Sequence, residues 1–373
     1  MSLNFTRDTT HKMKPIQIDV SSESHAYSVH VGAGLTDHLE TLLDAAGSIG
    51  RLFLVSSPSI WKLHGLTIHG VLKGAETILV PDGERSKTLQ TVAGIYDSLI
   101  QSAADRTVTI VAVGGGVLGD VAGFAAATYL RGVQLVHVPT TLLAQVDSAI
   151  GGKVGVNHQL GKNLIGAFHP PIVVVTDPEL LETLPRREFR AGLYEVIKYG
   201  VIASRELFDR VSLDLTAILT RKPDALVPII SESCRIKAAI VSADERENDR
   251  RRMLNFGHTV GHAIEAATNY RRFRHGEAIA YGMLAAADIS VTRKILAERD
   301  RRALSSLVAK LGPLPSVSDL PIKSILEAIK RDKKVLKGKL HFVLPTVLGK
   351  IDIVDDVTEK EIQRSLQAIG LRR

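Results

Sequence analysis

The first half of the chain alternates short apolar runs with longer amphipathic stretches. The runs are rich in β-branched residues and end in Pro, Gly, Ser or Asp, a pattern typical of parallel strands buried on both faces. Between them, stretches such as 87–103 have the periodicity of crossover helices. This pattern predicts a doubly wound parallel sheet, with strands at 51–57, 77–81, 108–113, 134–139 and 172–177.

Beyond about Leu184 the pattern changes to helical periodicity, and strand signals nearly disappear. A late pair of apolar runs, 340–344 and 350–354, predicts a small hairpin around Gly349. Since 373 residues are many for a single core, we expect two domains, residues 1–183 and 184–373, that meet near Pro185. The expected class is therefore α/β, with a mainly α-helical second domain whose helices lie near 187–201, 224–246, 253–268, 276–298 and 299–311.

Composition narrows the class of protein. With 45% apolar and 23% charged residues, the chain has the balance of a soluble globular protein. A solvated basic surface is the first explanation of the net charge of +7, and attraction for anionic substrates is the second. Nucleic-acid binding is disfavoured, because only 5% of residues are aromatic and no basic stretch is interleaved with them.

The same features predict a cytoplasmic protein without a membrane partner. Cys234 is the single cysteine, so no intrachain disulfide can form. No window approaches about 18 uninterrupted apolar residues, the length a spanning helix needs. The first dozen residues lack the apolar core of a secretory signal, so we expect no export.

A glycine-rich turn, Gly114-Gly115-Gly116-Val117-Leu118-Gly119-Asp120, follows the strand expected at 108–113 and precedes a helix expected at 120–129. Glycines let the backbone approach a phosphate, and a helix N-terminus presents N–H donors to it. The spacing satisfies G-x-G-x-x-G, yet no Asp or Glu follows about 20 residues later, as the ordinary dinucleotide fingerprint requires. A tight turn without a ligand is the alternative; we favour a diphosphate-binding turn of a different type.

Several other polar segments follow predicted strands. Asp82 to Lys87 pack four charges into one turn, and Thr140 and Thr141 follow the strand expected at 134–139. Each segment alone is more often a surface loop. Because the carboxyl ends of parallel strands meet at one edge of a sheet, we expect these segments to converge there with Asp147, Gly151, Gly152, Lys153, Gly161, Lys162 and Asn163.

Histidines and one glutamate suggest a metal site in the second half. His258 and His262 are four residues apart and would share a helix face, while Thr259 replaces the glutamate of the zinc-protease motif. His275 follows, and Glu195 lies on an apolar helix. Two imidazoles and one carboxylate are typical of catalytic zinc, because they leave a coordination position open. The sequence leaves open which histidines join Glu195, and a purely structural histidine pair is the alternative.

The whole motif series resembles that of 3-dehydroquinate synthases. The blocks occur in that family's order over roughly residues 50–350 and are GGGVLGD, FAAATYLRG, VPTTLLAQVDSAIGGKVGVN, GKNLIGAF, LPRREFRAGLYEVIKYG, DEREN…LNFGHTVGHAIE, HGEAIAYGM and DKK…FVLP. The resemblance implies a Rossmann-like NAD-binding domain, a helical metal-binding domain, an active site in the cleft between them, and a homodimer. One departure is Asn248-Asp249-Arg250, where the family usually has glycine and an apolar residue.

The resemblance also implies roles for individual residues. Zinc or cobalt would be held by Glu195, His258 and His275. Arg131 would reach into the neighbouring subunit's site, and Lys333 or Lys334 would lie near the substrate phosphate. The substrate would also contact Asp147, Lys153, Asn163, Lys198, Lys237, Arg251, Asn255 and His262. NAD would contact Asp82, Gly83, Glu84, Arg85, Ser86, Lys87, Gly115, Gly116, Val117, Leu118, Gly119, Asp120, Thr140, Thr141, Lys153, Lys162, Leu180, Leu181, Glu182 and Thr183.

The implied reaction converts 3-deoxy-D-arabino-heptulosonate 7-phosphate to 3-dehydroquinate and phosphate, a step toward chorismate and the aromatic amino acids. It would combine transient oxidation by NAD, elimination of phosphate, re-reduction and aldol closure, with no net redox change. His262 would transfer a proton at the C5 oxygen. The alternatives are another sugar phosphate cyclase, whose substrate lacks the carboxylate expected at Arg251, and a metal-dependent polyol dehydrogenase, which would release NADH.

Overall fold

The computed structural model describes residues 14–21, 25–48, 50–244, 250–335 and 340–372, with residues 332–335 described through their backbone. The strands of this part of the chain are β1 (Ile16–Ser21), β2 (Ala26–Val31), β3 (Leu52–Ser56), β4 (Glu76–Leu79), β5 (Thr109–Gly114), β6 (Gln134–Pro139), β7 (Lys153–His158), β8 (Gly161–Phe168), β9 (Val173–Thr176), β10 (Phe342–Val347) and β11 (Lys350–Val354).

One seven-stranded sheet has the order β1-β2-β9-β6-β5-β3-β4 and is parallel except for the antiparallel pair β1–β2. The five predicted strands are confirmed as β3, β4, β5, β6 and β9. The edge pair β1–β2 was not predicted, because its strands are not continuously apolar. In β1, buried Ile18 and Val20 alternate with exposed residues, the signature of a strand covered on one face.

The helices connect and cover these strands. They are α1 (Leu39–Ala45), α2 (Pro58–Val71), α3 (Leu89–Gln101), α4 (Gly116–Thr128), α5 (Arg186–Ala203), α6 (Arg205–Leu213), α7 (Leu215–Leu219), α8 (Pro223–Ala243), α9 (His258–Ala267), α10 (His275–Thr292), α11 (Glu298–Lys310), α12 (Ile322–Val335) and α13 (Glu359–Ala368). Among the described residues, no helix combines the length and apolar character needed to cross a bilayer.

Two helices that border the predicted site residues begin at positions that differ from the prediction. Helix α4 begins at Gly116, inside the glycine-rich turn, so the turn is itself the helix N-terminus. Helix α9 begins at His258, because Gly257 adopts a left-handed conformation (φ 79°) that separates it from the 3-10 turn Arg250–Asn255. The first five residues of the helix predicted near 253–268 are therefore not part of α9, and the left-handed Gly257 interrupts the backbone just before the histidines.

Alternate residues of the central strands pack into two different cores. On β5, Ile110 and Ala112 join a core with α3 and α4, whereas Val111 and Val113 join a core with α1 and α2. Helices on both faces make the sheet doubly wound, as predicted. The α/β class with a mainly helical C-terminal region is thus confirmed.

A third and larger core fills the helical region. It contains residues of α5, α8, α9 and α10 and reaches β1 and β2 through residues such as Ile18 and Val29. Helix α5 starts directly after Pro185, at the predicted change of pattern. The division into domains of residues 1–183 and 184–373 stays a prediction. The predicted C-terminal hairpin is confirmed as β10–β11, and a second hairpin, β7–β8, packs on α4.

Candidate active site

A cleft of about 1360 Å3 lies at the carboxyl edge of the parallel strands, where open α/β sheets bind ligands. One wall, the sheet-side wall, consists of the loops after β3, β4, β5 and β6 and of the β7–β8 hairpin. The opposite wall, the helix-side wall, consists of parts of α5, α9, α10 and α12 and of the loop between α9 and α10. The predicted site residues that line it are Asp82, Gly83, Glu84, Ser86, Lys87, Gly115, Gly116, Val117, Leu118, Asp120, Thr141, Asp147, Lys162, Asn163, His262 and His275.

Lys87 ties three segments of the sheet-side wall together. Its side chain is buried and its Nζ contacts the carboxylate of Asp120 and the amide oxygen of Asn163. Burial raises the pKa of Asp120 although the ammonium of Lys87 opposes the shift. The loop after β4, the N-terminal part of α4 and the β7–β8 hairpin are therefore held in one arrangement by a single cation.

The glycine-rich turn offers room for a ligand against its backbone. Gly116 and Val117 begin α4, and both line the cleft. The first N–H groups of a helix have no partner within the helix, so they are available to an anion. A Cβ placed on Gly116 would lie 2.8 Å from the Oγ of Ser148, which explains why a side chain is disfavoured there.

Other predicted cofactor residues lie off the cleft wall. Leu180 and Leu181 are buried in two different cores, Glu182 is exposed, and the Oγ1 of Thr183 lies 2.9 Å from Nε2 of His64. Leu180 and His64 line a separate small cavity of about 120 Å3. Contact between NAD and these four residues stays a prediction.

The remaining predicted cofactor residues support the wall or flank it. The amide of Gly119 donates to the carbonyl of Gly115, and the amide of Thr140 donates to the carbonyl of Gly114, each at 3.0 Å. These two backbone bonds hold the turn between β5, α4 and β6. Arg85 and Lys153 are exposed beside the cleft loops.

Glu195 is the centre of the candidate metal site. It lies on α5 with its side chain 0% exposed, and its Oε1 is 3.9 Å from Nε2 of His258 and 3.6 Å from Nε2 of His275. Neither carboxylate oxygen has a hydrogen-bond partner of regular geometry, although Nζ of Lys198 lies 2.5 Å from Oε2. A buried carboxylate with an unsatisfied oxygen between two imidazole nitrogens fits a divalent cation.

The charge states at this site also suit a cation. Burial alone would raise the pKa of Glu195, but Lys198 and the neighbouring imidazoles outweigh it and hold the pKa at about 2. Burial and Lys198 hold the pKa of His258 well below its ordinary value. Burial would lower the pKa of His275 too, but Glu195 and Glu265 raise it to about 10. An anionic carboxylate and a neutral imidazole are the forms that bind metals, and a metal would replace the proton on His275.

Three histidines lie together here, with ligand nitrogens within 4.8 Å of one another. Nδ1 of His258 faces the carbonyl of Phe256 at 3.1 Å, and Nδ1 of His275 faces Glu265 at 3.3 Å, so both rings turn Nε2 toward Glu195. His262 is exposed on the cleft wall, with its ring 5.1 Å from that of His258. The geometry favours His258 and His275 as ligands, the choice that spacing left open.

A second charged cluster surrounds Asp147. Its carboxylate accepts a hydrogen bond from Tyr199 Oη at 2.8 Å and pairs with Lys237, whose Nζ also donates to the Asp147 carbonyl at 2.7 Å. Burial raises the pKa of Asp147, but Lys237 and Lys198 outweigh it and hold the pKa below its ordinary value. Burial lowers the pKa of Lys237. Lys198, 1% exposed, links this cluster to Glu195.

The other predicted substrate residues lie outside the cluster around Asp147. Arg251 is 3% exposed, with Nη2 3.4 Å from the Gly151 carbonyl, and Asn255 is exposed. Arg131 is exposed away from the cleft lining. Lys333 and Lys334 belong to α12, but their side chains lie outside the described residues, as do residues 245–249 with Asn248 and Asp249.

Some cleft residues escaped prediction. Ser59 donates a hydrogen bond to Asp82, and it follows β3 just as the predicted segments follow their own strands, so the same rule would have found it. Tyr270 covers Nζ of Lys162 at 4.3 Å from its ring centre. Arg331 on α12 also lines the cleft. No local pattern indicates Tyr270, because its contact joins the two walls.

Comparisons with known proteins bear on the family. Two family models match the chain, described as 3-dehydroquinate synthase N-terminal over residues 77–191 and 3-dehydroquinate synthase C-terminal over residues 192–335. The chain is 45% identical over 357 residues to a 3-dehydroquinate synthase of Nostoc sp., a match that covers 94% of this chain and 98% of the relative. It is 48% identical over 326 residues to a 3-dehydroquinate synthase of Acaryochloris marina, a match that covers 86% of this chain and 88% of the relative.

Solved structures with the same architecture include two sugar phosphate cyclases. A 2-deoxy-scyllo-inosose synthase complexed with carbaglucose-6-phosphate, NAD+ and Co2+ has a TM-score of 0.84 at 29% identity, covering 95% of this chain and 100% of that one. The 2-epi-5-epi-valiolone synthase of Streptomyces hygroscopicus subsp. jinggangensis, with NAD+ and Zn2+ bound, has a TM-score of 0.83 at 28% identity, covering 94% and 98%. By its matched family models and full-length relatives, the chain belongs to the 3-dehydroquinate synthase family of lyases.

Proposed function

We propose that the protein converts 3-deoxy-D-arabino-heptulosonate 7-phosphate to 3-dehydroquinate and phosphate, using NAD and one divalent metal ion per subunit. The observation that carries this proposal is the juxtaposition of three groups in one cleft. Gly116 at the N-terminus of α4, His275 and Asp147 all line the cleft. Glu195 lies buried beside His275, and Lys237 lies buried beside Asp147. Family membership supplies the reaction that uses all three.

Glu195, His258 and His275 would hold zinc or cobalt. The support is the unsatisfied buried Oε1 of Glu195 and the orientation of both rings toward it. When bound, the ion supplies Lewis-acid activation of a substrate hydroxyl. The two related cyclases that contain Zn2+ and Co2+ support the choice of metal.

NAD would lie along the sheet-side wall. Gly116, Val117 and Asp120 begin α4, and Lys87 fixes the adjoining loops, so this wall offers N–H donors and a cation to a diphosphate. When bound, the cofactor supplies reversible acceptance of a hydride. Asp82 and Glu84 would meet its hydroxyl groups, because carboxylates accept hydrogen bonds from ribose.

The substrate would occupy the space between the walls. Lys198, Lys237 and Arg251 would bind and orient its anionic groups, since ammonium and guanidinium groups form strong charge-assisted hydrogen bonds with carboxylate and phosphate. Asp147 holds the ammonium of Lys237 in place through two contacts. Lys153, Asn163, Asn255 and Lys334 would complete the contacts.

His262 would move the proton at the C5 oxygen. It lies on the exposed wall of the cleft beside the candidate ligands, whereas His258 and His275 are turned toward Glu195. An imidazole that lines the cleft and is not turned toward Glu195 is placed for general acid–base work on a substrate hydroxyl. Its role is therefore separate from metal binding.

The rival function on the same scaffold is that of another sugar phosphate cyclase, which the two structural relatives perform. Sequence identity favours dehydroquinate synthase, because the chain is 45% identical to a 3-dehydroquinate synthase and 28% and 29% identical to the two cyclases. The buried guanidinium of Arg251 also favours a substrate with a carboxylate. A polyol dehydrogenase would leave the lysine cluster without a phosphate or carboxylate to bind.

A homodimer is part of the proposal. Arg131 and Leu130 are exposed, and both adopt left-handed backbone conformations, with φ of 69° for Arg131 and 48° for Leu130. Backbone strain of this kind is common at functional surfaces.

Complementation between two inactive variants tests the shared site. In equal mixtures of Arg131→Ala and Lys198→Ala protein, we expect activity to return to about a quarter of the wild-type level, because half the dimers would carry one intact shared site. Mixtures as inactive as each variant alone would contradict sharing.

The location we propose is the cytoplasm. Its support is the lone cysteine, Cys234, which is buried and allows no intrachain disulfide, as is usual for proteins of a reducing compartment.

Phosphate release tests the function directly. The heptulosonate phosphate should yield phosphate only when both NAD and a divalent metal are present, and absorbance of NADH should not accumulate. Stoichiometric NADH would instead indicate a dehydrogenase. A seven-carbon sugar phosphate that lacks the carboxylate is the matched control; faster release from it would favour the rival cyclase.

A further inference from the structure

Glu265 is a buried carboxylate without an assigned role. It lies on α9 and is 6% exposed at the edge of the cleft. Burying a carboxylate is unfavourable unless a partner compensates the charge. Among the described residues, the side-chain partner of Glu265 is the imidazole of His275, with Oε2 3.3 Å from Nδ1.

His275 lies between two carboxylates. Its Nε2 faces Oε1 of Glu195 at 3.6 Å, and its Nδ1 faces Glu265. An imidazole that binds a metal through one nitrogen carries its proton on the other, and an acceptor for that proton fixes both the tautomer and the ring orientation. Glu265 is placed to be that acceptor.

His258 has a different partner for the same purpose. Its Nδ1 faces the neutral carbonyl of Phe256 at 3.1 Å. One candidate ligand is therefore oriented by the backbone, which substitution does not change, and the other by a side chain, which substitution can remove. Helix α9 supplies His258, His262 and Glu265 at spacings of four and three residues, so all three share one face.

We propose that Glu265 is a positioning residue that orients His275 for metal binding and increases the basicity of its Nε2. The proposal rests on the metal site of the proposed function and deepens it. It assigns Glu265 no contact with substrate or cofactor. The effect would reach the metal through the imidazole alone.

Metal affinity of purified protein is the test. Stripped protein is titrated with Co2+ against a chelator of known affinity, and the visible absorption of the Co2+ complex is recorded. Glu265→Ala should weaken Co2+ binding by about 10- to 100-fold, the usual effect of losing such a partner, and shift the absorption band. Glu265→Gln should lose less, because its amide oxygen can still accept the Nδ1 proton.

A matched control separates positioning from stability. Glu361 is also a carboxylate in a charged pair, with Arg293 at 2.6 Å, but it caps α13 and does not line the cleft. Glu361→Gln should lower the melting temperature and leave Co2+ affinity and absorption unchanged. If Glu265→Ala does not fold, the Glu265→Gln variant and its spectrum carry the test.

Two results would overturn the proposal, and they are distinguishable. If wild-type protein binds Co2+ while both Glu265 variants bind it within twofold of wild type, Glu265 has a structural role only, and the metal site stands. If wild-type protein binds no Co2+ at all, the metal site of the proposed function fails, and the role of Glu265 fails with it.

Discussion

The sheet-side wall of the cleft is built from short segments that each follow a strand, whereas the candidate metal site at the helix-side wall combines single side chains from α5, α9 and α10. On the first wall, Gly116 and Lys87 act through backbone approach and the arrangement of three loops. On the second, Glu195, His258 and His275 come from positions far apart in the chain. The glycine-rich turn of the first wall therefore depends on local geometry, and the metal site of the second depends on how helices pack.

The two walls also differ in their electrostatics. The Glu195 side chain is fully buried, and the charges around it must compensate one another, so a change in one residue alters its neighbours. On the sheet-side wall, most of the predicted residues are at least partly exposed and the backbone supplies the donors. Substitution of Glu195 or of an imidazole that faces it should thus affect metal, stability and turnover together, while substitution in the glycine-rich turn should weaken NAD binding and leave the metal in place.

The largest effect is expected for His258→Ala. The substitution removes an imidazole that faces Glu195, so bound metal and activity should both be lost. Elemental analysis, melting temperature and turnover of the purified variant measure the three consequences. A variant that retains stoichiometric metal would exclude His258 as a ligand.

A smaller effect is expected for His262→Ala, one turn along the same helix. This variant should keep near-stoichiometric metal, because Glu195, His258 and His275 remain. Its turnover should fall by about 10²–10⁴-fold, the range for loss of a proton-transfer group. If the loss of turnover is no larger than the fall in melting temperature accounts for, His262 has only a packing role. If the His262→Ala variant loses its metal while His258→Ala retains it, the ligand assignment is wrong.

Asp147→Asn should lower the free energy of unfolding by about 2–3 kcal/mol, since it weakens hydrogen bonds from Lys237 and Tyr199 to a charged, partly buried acceptor. The pKa of Asp147 is held below its ordinary value of about 4. This stabilisation is therefore fully present above about pH 4 and is lost as the pH falls toward the lower pKa of the folded state.

Urea unfolding at several pH values measures this difference. The advantage of wild type over Asp147→Asn should be constant near neutral pH and shrink below about pH 4. Tyr199→Phe is the control, because it removes one hydrogen bond and keeps the carboxylate, with an expected cost of about 1–2 kcal/mol. A gap between wild type and Asp147→Asn that does not change with pH would contradict the pKa argument.

The smallest effect is expected for Gly116→Ala on the sheet-side wall. The new methyl group would displace Ser148 and obstruct the backbone, so NAD should bind about tenfold more weakly, equivalent to about 1.4 kcal/mol. Metal content should stay at the wild-type level. Gly94→Ala is the control, since a Cβ there meets no atom within 4 Å, and it should leave NAD affinity unchanged. Loss of metal in Gly116→Ala would show that the two walls are coupled.

Much of the fold could be predicted because its signals are local. The parallel strands β5 and β6 are buried on both faces, so continuous apolar runs indicate them. The edge strand β1 was missed because half of its residues are exposed to solvent, so it has no continuous apolar run. The start of α4 was missed because glycine is unfavourable in helix interiors, although Gly116 is accommodated in the first turn.

The sequence by itself determined the order of the five central parallel strands, the change to helices near Pro185, the motif series, and the residue types of both walls, because these depend on periodicity and on short spacings. Spacing left open which two imidazoles face Glu195, although the family resemblance implied His258 and His275. Tertiary structure alone decided that Glu265 stands behind His275 and that Tyr270 covers Lys162. Glu195 and His258 come from helices separated by more than fifty residues of chain, and only the packing of those helices brings them within 3.9 Å.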